Sequence, residues 1–428
     1  MQYQKRRDLS LYDLNKIDIS DYANWDMETD YLVVWWWISG LHAAQNLIKT
    51  GKRVMLIEKN ICGGGMSGRS AGFLTPDSEV WFRQVIKKYW EKIWQKIWNF
   101  AENGQRYIVD NINKYDLDAD LLEEDSLLIW LWNAGKIAVQ EEHQVRISNN
   151  LNSTLLIKEE LIKYNTGQGY ESAIKYSGCY NINPLKYCQE LKKILIWLGV
   201  KIYEYTEVKN ISANTITTNY WSIKFDKLIV CAGKIDKKID DEKSKNIFGI
   251  QNFLTISEPL TESEITSIMP QGNIMCWDTD MVFTYYRITE DNRMLIGGWY
   301  PISSFLPFEV LYDTVIKYIT NNTKKRFPIL KDISFDNYRS GRIQVTKDLM
   351  PIVDMDKKYP NHIWVQWAAW LPRAAACGKY ASDMSIWIID SDLSAAFGQD
   401  RKFPLSFTSN SEIIKSITFW LSNYYVIS

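Results

Sequence analysis

The stretch YLVVWWWISGLHAAQNLIKTGKRVMLIEK, Tyr31 to Lys59, carries the grammar of a nucleotide-binding unit with one discordant feature. Tyr31–Val34 is a short apolar, β-branched run, the pattern of a buried strand. From Ile38 to Thr50, the residues Leu41, Ala44, Leu47 and Ile48 share one helical face, and Gly51 stands where such a helix is capped. Arg53–Ile57 is a second strand, ended by Glu58. A strand–turn–helix–strand unit of about 30 residues is one half of a dinucleotide-binding domain, and its first turn ordinarily reads G-x-G-x-x-G. Here those positions are Trp35, Trp37 and Gly40. Only the last is glycine.

The discordance recurs. The chain of 428 residues holds 19 tryptophans and only 21 glycines, a glycine content below the usual ~7%. Several tryptophans stand where glycine is expected. Trp299 ends MLIGGWYP, Trp367 and Trp370 lie in VQWAAWLPR between a strand and a small-residue helix, Trp132 flanks Ala134-Gly135, and Trp221 follows a hairpin-like Asn219-Tyr220. Tight turns and phosphate loops favour glycine because they use positive φ or close backbone approach, and a bulky side chain there is an outlier. Trp98 and Trp277 read instead as buried aromatics. Trp90, Trp94 and Trp98 recur at i, i+4 and i+8 on one helix face, a pattern of core packing, with the first two also open to the glycine reading. The pattern is that of a gene whose UGA codons mean glycine in its own cell and have been rendered as tryptophan. UGG codons at 35–37 would remove that explanation.

With glycine at 35–37 the stretch becomes strand–GGGISG–helix–strand–Glu58. The first glycine makes the turn, the second admits the pyrophosphate, and Gly40 lets helix pack on strand; Ile38 and Ser39 begin the helix whose positive end faces the phosphates. Glu58, beside Lys59, can accept ribose hydroxyls, which favours FAD or NAD over NADP. With tryptophan, three indoles fill the pyrophosphate space, and the literal chain is expected to bind a dinucleotide poorly.

The bulk numbers bound the rest. At ~150 residues per domain the length suggests two or three domains. A net charge of −1 gives no electrostatic case for nucleic acid. No apolar run reaches the ~18 residues of a membrane span, and the basic start MQYQKRRDLSLYDLNK lacks the apolar core of a secretion signal, so a cytoplasmic protein is expected. The six scattered cysteines include no C-x-x-C pair, which favours reduced thiols over disulfides or zinc. Three histidines, His42, His143 and His362, are too dispersed for a histidine metal cluster or a Ser-His-Asp site.

The segment ICGGGMSGRSAGFLTP, Ile61–Pro76, directly after Glu58, resembles the flavin-side loop of the FAD-dependent D-amino-acid oxidase superfamily, the group that includes glycine and sarcosine oxidases and γ-glutamylputrescine oxidoreductase. The matching residues are Gly65, Ser67, Gly68, Arg69, Ser70 and Gly72. Further segments resemble the family in its order. NINPLKYCQELKKILIWLGVKIYEYTEVKNI places Val208 where the family's backbone meets adenine. FDKLIVCAGKI places Cys231, Ala232 and Gly233 in a cofactor-side turn. YRSGRIQVTKDLMPIVDM contains Gly341 and the T-x-D-x-x-P spacing at Thr346, Asp348 and Pro351. NHIWVQWAAWLPRAAACGKYASDM resembles the last FAD-contacting strand and helix, with Trp367 and Trp370 at glycine positions and Leu371 beside them. The resemblance spans about residues 28 to 390.

The resemblance implies an α/β protein with a discontinuous Rossmann-like FAD-binding domain (28–105, 160–250, 335–395) and a mixed α+β substrate domain (106–159, 251–334). A polar arm (1–27) and a tail (396–428) flank them. It implies non-covalent FAD, because Arg339–Val345 holds no cysteine where sarcosine oxidases attach flavin. It implies oxidation of a C–N bond in an amine or amino acid by hydride transfer to flavin, with oxygen or another electron acceptor. Arg342 is the candidate carboxylate clamp. Tyr285 and Tyr286 alternate along FTYYRI, so one should face the substrate. No metal is expected. A pyridine-nucleotide disulfide reductase would need a second G-x-G-x-x-G unit and a C-x-x-C-like pair, and the sequence has neither. A non-catalytic flavin-fold protein remains open if Trp35–Trp37 are genuine.

Overall fold

The computed structural model describes residues 27–35, 38–76, 82–88, 91–131, 136–233, 235, 239–240, 243, 247–278, 284–299, 312–346, 348–366 and 370–401. Trp36, Trp37, Trp132 and Trp367 lie outside them, as do residues 1–26 of the arm and most of the tail.

The opening stretch folds as its pattern predicts. Met27–Val34 is a strand, Ile38–Ile48 a helix and Val54–Ile57 a parallel neighbour of the first strand. These belong to the first of two large sheets. Its parallel core runs Lys201–Tyr203, Val54–Ile57, Met27–Val34, Ser222–Cys231 and His362–Gln366. The Val208–Ile211 and Thr215–Thr218 hairpin and the strand Ile352–Met355 extend it antiparallel. Leu32, Val33, Val34, Leu56 and Ile57 are fully buried, as expected of parallel strands covered on both faces.

One face carries three packed helices: Ile38–Ile48, Leu371–Ser385 and Glu91–Tyr115. Pro184–Trp197 packs beside the first, capped by the Asn183 side chain, which accepts from the Lys186 amide. The helices approach closely because small residues line their seam. A Cβ on Gly378 would lie 1.9 Å from the Ser39 carbonyl oxygen.

The second sheet orders Asn337–Thr346, Ile247–Pro259, Arg293–Trp299, Thr284–Ile288, Met275–Asp278, Ser126–Trp130, Ser172–Tyr176 and Thr154–Ile157. All neighbours are antiparallel except Met275–Asp278 beside Ser126–Trp130. It takes in 172–176 and 337–346, segments that the expected borders gave to the cofactor part, and the Glu91–Tyr115 helix runs unbroken through the expected border at 105. One face buries Phe253, Tyr286, Ile288 and Ile296 against the Tyr312–Arg326 helix. The other face carries Trp277, Tyr285 and Leu295 toward Ala71 and Phe73 of the glycine-rich loop. That loop therefore lies between the two sheets. A small sheet of Phe73–Leu74, Tyr180–Asn181 and Leu122–Glu123 ties it down.

Candidate cofactor and active site

Parallel α/β sheets bind ligands beyond the carboxyl ends of their strands. Here four strands end together: Val34 pairs with Ile57 and Val230, and Cys231 pairs with Val365. The residues that follow are Trp35, Glu58 and the Ala232–Gly233 turn, with Trp367 just past Gln366. Sequence reasoning named all of them. Trp35 donates its amide to the Ile57 carbonyl at 3.0 Å and has φ +65°. The Ile38–Ile48 helix starts three residues later, with the Ile38 amide donating to Ser67 Oγ at 3.1 Å. Ser39 Oγ is buried with no hydrogen-bond partner, and Gly40 is buried at the first turn. Glu58 is buried and its carboxylate accepts from the Asn60 amide at 2.9 Å, while Lys59 is exposed. Val208 is buried beside Ile216 and Trp221, and Cys231, Ala232 and Gly233 are buried at the strand end.

The loop Ile61–Pro76 is fixed at both ends by buried polar side chains that the sequence reading did not single out. At its start, Glu204 Oε1 accepts from the Cys62 amide at 2.7 Å and from Lys192 Nζ at 3.4 Å, and Gln189 Nε2 donates to the Cys62 carbonyl at 2.6 Å. Glu204 and Lys192 are almost wholly buried, so removing one partner would leave an uncompensated charge, a loss of roughly 3–5 kcal/mol. At its end, Arg287 donates from Nε to the Ala71 carbonyl at 2.6 Å, from Nη1 to Asn181 Oδ1 at 3.0 Å and from Nη2 to the Ile182 carbonyl at 3.1 Å. Gly72 needs its glycine: φ is +85°, and a Cβ would meet the Ile182 oxygen at 2.0 Å. Between these anchors Gly65 is exposed, Ser67 and Gly68 are buried, and the Arg69 and Ser70 amides donate to the Met66 and Ser67 carbonyls.

The sheet facing this loop decides between the candidate tyrosines. The Tyr285 ring lies over Gly297, edge-on to Phe73 at 6.0 Å, and its hydroxyl accepts from Asn252 Nδ2 at 2.8 Å. Gly341 pairs with Asn252 and shares that face; a Cβ on it would approach Met66 Sδ of the loop at 3.1 Å. Tyr286 points the other way. It is 2% exposed, accepts from Asn165 Nδ2 at 2.8 Å, bonds the Tyr170 hydroxyl at 3.0 Å, and burial pushes its phenol well above the usual range. Tyr286 is thus a core residue, corrected from the candidate list by strand alternation.

Alternation also corrects Arg342. It falls on the face opposite Gly341, and its Nη2 donates to the Gly249 carbonyl at 3.0 Å. Arg339 is the guanidinium on the Gly341 face; it pairs with Leu254 and is 4% exposed. The sequence signal for it was present, an arginine two residues before Gly341, but the register was not.

Trp370 begins the Leu371–Ser385 helix at φ +69°, ψ 133°, and its ring reaches the cluster of Phe73 and Trp130. Its Nε1 is buried with no hydrogen-bond partner. Leu371 is buried behind it. The strand ends, Glu58 and the anchored loop suit a flavin dinucleotide. The indoles of Trp35 and Trp370, at the two helix starts that face it, do not. Among the described residues no group of three or more His, Cys, Asp or Glu could hold a metal, and no helix is long and apolar enough to cross a membrane.

The chain is similar to known proteins. A family model described as FAD dependent oxidoreductase matches residues 38–384. The probable oxidoreductase OrdL of Haemophilus influenzae is 26% identical over 73% of this chain and 72% of its own length. The γ-glutamylputrescine oxidoreductase of Escherichia coli is 25% identical over 79% of each chain. Among solved structures, glycine oxidase from Geobacillus kaustophilus superposes with a TM-score of 0.73 over 88% of this chain and 99% of its own, at 13% identity. The L-amino acid deaminase of Proteus vulgaris follows at 0.72, over 91% and 97%, at 15% identity. With a family match over most of its length, the chain belongs to the FAD-dependent oxidoreductases.

Proposed function

We propose that the protein oxidises a C–N bond of a small amine or amino acid, with non-covalent FAD as the first acceptor and oxygen or another carrier as the second. The observation that carries this reading is Tyr285. Its hydroxyl, bonded to Asn252, lies on the sheet face turned to the loop that the family uses for flavin. The candidate cofactor contacts are Ile38–Gly40, Glu58, Ser67–Ser70, Gly72, Val208, Cys231–Gly233, Gly341 and Leu371, with positions 35 and 370 at the turns before two helices. Bound FAD would supply the hydride acceptor.

The chain's own residues would do the rest. Tyr285 and Asn252 orient the substrate nitrogen. Trp277 and Phe73, 6.1 Å apart, provide an apolar wall that excludes water. Arg339 brings positive charge to the same face and suits a carboxylate or other anionic end of the substrate. A substrate amine that arrives neutral needs no strong base, which agrees with the histidines: His42 is buried, bonded to the Tyr187 hydroxyl, and pushed down to about 3 by burial. All six cysteines are buried, and burial raises the thiols of Cys62, Cys188, Cys231, Cys276 and Cys377, which supports flavin held without a covalent bond.

The test is anaerobic mixing of flavin-loaded protein with a panel of amino acids, secondary amines and polyamine conjugates, followed by flavin absorbance. Bleaching by a member of the panel is expected. Stable flavin with the whole panel, but reduction by a nicotinamide, would overturn the reading. The second reading, a flavin-fold protein without catalysis, is favoured by one observation: Trp35 and Trp370 as tryptophans.

A further inference from the structure

Nine described residues other than glycine have positive φ: Trp35, Asp116, Asp120, Asn150, Tyr205, Asn292, Leu349, Trp370 and Trp387. Asparagine and aspartate are the usual non-glycine occupants of this region, and they account for four. Three of the other five are tryptophan.

Strain of this kind is sometimes held in place at a functional site, and Trp35 and Trp370 stand at one. Trp387 does not. It is 63% exposed, and it follows the far end of the 15-residue Leu371–Ser385 helix, about 22 Å from Trp370 at the rise of an α-helix. Its ring carries Lys227 Nζ at 4.9 Å, an exposed contact of little weight.

The backbone at Trp387 identifies what belongs there. The Ile388 amide donates to the Asp383 carbonyl at 2.9 Å, and the Trp387 amide to the Met384 carbonyl at 3.0 Å. Ile386 is the cap residue, and Trp387 follows it at φ +66°. These are the two bonds of a Schellman helix end, whose left-handed residue is characteristically glycine and sometimes asparagine. The chain closes two other helices by the same pair of bonds. After Pro184–Trp197, Val200 donates to Leu195 and Gly199 to Ile196, with Gly199 at φ +95°. After Lys136–Ser148, Leu151 donates to Arg146 and Asn150 to Ile147, with Asn150 at φ +58°. One motif in one chain thus uses glycine, asparagine and tryptophan.

We infer that positions 35, 370 and 387 are glycine in the polypeptide made by the native cell, encoded by UGA and read there as glycine. The inference deepens the proposed function, since it opens the two cofactor-facing turns, but Trp387 carries it independently. It is selective. Trp364 has ordinary backbone, is 3% exposed and donates Nε1 to Asp356 Oδ2 at 3.1 Å. Trp221, read from sequence as a turn position, is likewise absent from the positive-φ set and packs at 7% exposure against Tyr203. Both are genuine tryptophans and should be UGG.

The experiment is peptide mass spectrometry of the protein from its native cell, together with the codons of its gene. Glycine at 35, 370 and 387 with tryptophan at 221 and 364 is expected. Tryptophan, or UGG, at 35, 370 and 387 would overturn the inference. A recombinant pair separates it from the functional reading. Trp387→Gly should raise the unfolding midpoint and leave FAD uptake unchanged, and an unchanged or lower midpoint counts against it. Replacing Trp35, Trp36, Trp37, Trp367 and Trp370 together by glycine should gain FAD uptake by at least tenfold. If the native peptides carry glycine at these positions yet this variant takes up no flavin, the functional reading fails and the decoding stands.

Discussion

At the scale of single residues, neighbours in sequence have opposite fates because a strand alternates its faces. Tyr285 and Tyr286 make the sharpest pair. Tyr285→Phe removes a hydroxyl that accepts from Asn252 on the face turned to the glycine-rich loop. It should lower kcat/KM for the proposed amine or amino-acid substrate about tenfold, the worth of one polar contact, with FAD retention unchanged; equal kinetics in the variant would remove Tyr285 from the site. Tyr286→Phe breaks a buried network with Asn165 and Tyr170. It should cost about 1–2 kcal/mol of stability in denaturant titration and leave kcat/KM near that of the parent. Glu124 makes a second residue-scale case. Burial lifts its carboxyl from an ordinary value to about 7, against the opposing pull of Arg287. A carboxyl whose pKa is higher in the folded chain binds its proton more tightly there. Its contribution is therefore complete below the unfolded value of ~4.5 and is lost as pH rises toward and through 7. Glu124→Gln should flatten that fall, with a gain on the order of 2 kcal/mol at pH 8; a parallel pH–stability curve would show that Glu124 is not the titrating group.

At the scale of elements, what the sequence made legible was local and what it hid was pairing. Tyr31–Ile57 shows its strand, helix and strand because each is written in its own periodicity, and Glu58 follows from their spacing. The anchors of the glycine-rich loop were not legible. Lys192 and Glu204 look like surface charges of a helix and a strand, and only their burial against each other reveals them as a clamp. Arg339 and Arg342 could not be assigned to faces, because that depends on the register with Ile247–Pro259, a partner about 90 residues away. Trp387 was hidden because SIWIID reads as an apolar run, whereas its backbone is a helix end. The helix seam offers a test of packing at this scale. Gly378→Ala would put a methyl 1.9 Å from the Ser39 carbonyl, inside the turn that begins the first helix. The two helices must part, at a cost of about 1–3 kcal/mol, and the cofactor turn moves with them. A lower unfolding midpoint together with weaker FAD retention is expected; a loss of stability with FAD affinity intact would show that the seam and the turn are uncoupled.

At the scale of the whole molecule, the two sheets are linked by the helix Lys136–Ser148, whose Arg146 lies over both Trp98 and Tyr176, and by the loop that lies between them. The loop Ile61–Pro76 belongs to neither sheet core, yet it is tied to the first through Glu204 and to the second through Arg287. A dinucleotide laid along the carboxyl ends of the first sheet would be covered by the Tyr285 face of the second, so its binding should stabilise both together. A ligand that binds only the folded chain adds RT ln(1 + [L]/Kd), about 2.7 kcal/mol at a hundredfold excess over Kd. With glycine at 35, 36, 37, 367 and 370, FAD should therefore raise one cooperative unfolding midpoint in a concentration-dependent way. NADP, whose 2′-phosphate would meet the buried Glu58 carboxylate, should not. The probes must be chosen to see both sheets: amide hydrogen exchange of peptides covering His362–Gln366 for the first and Met275–Asp278 for the second. Coincident protection would mean that the cofactor couples the sheets. Protection confined to His362–Gln366 would mean that FAD is held by the first sheet alone and that the Tyr285 face closes over it only when substrate is present.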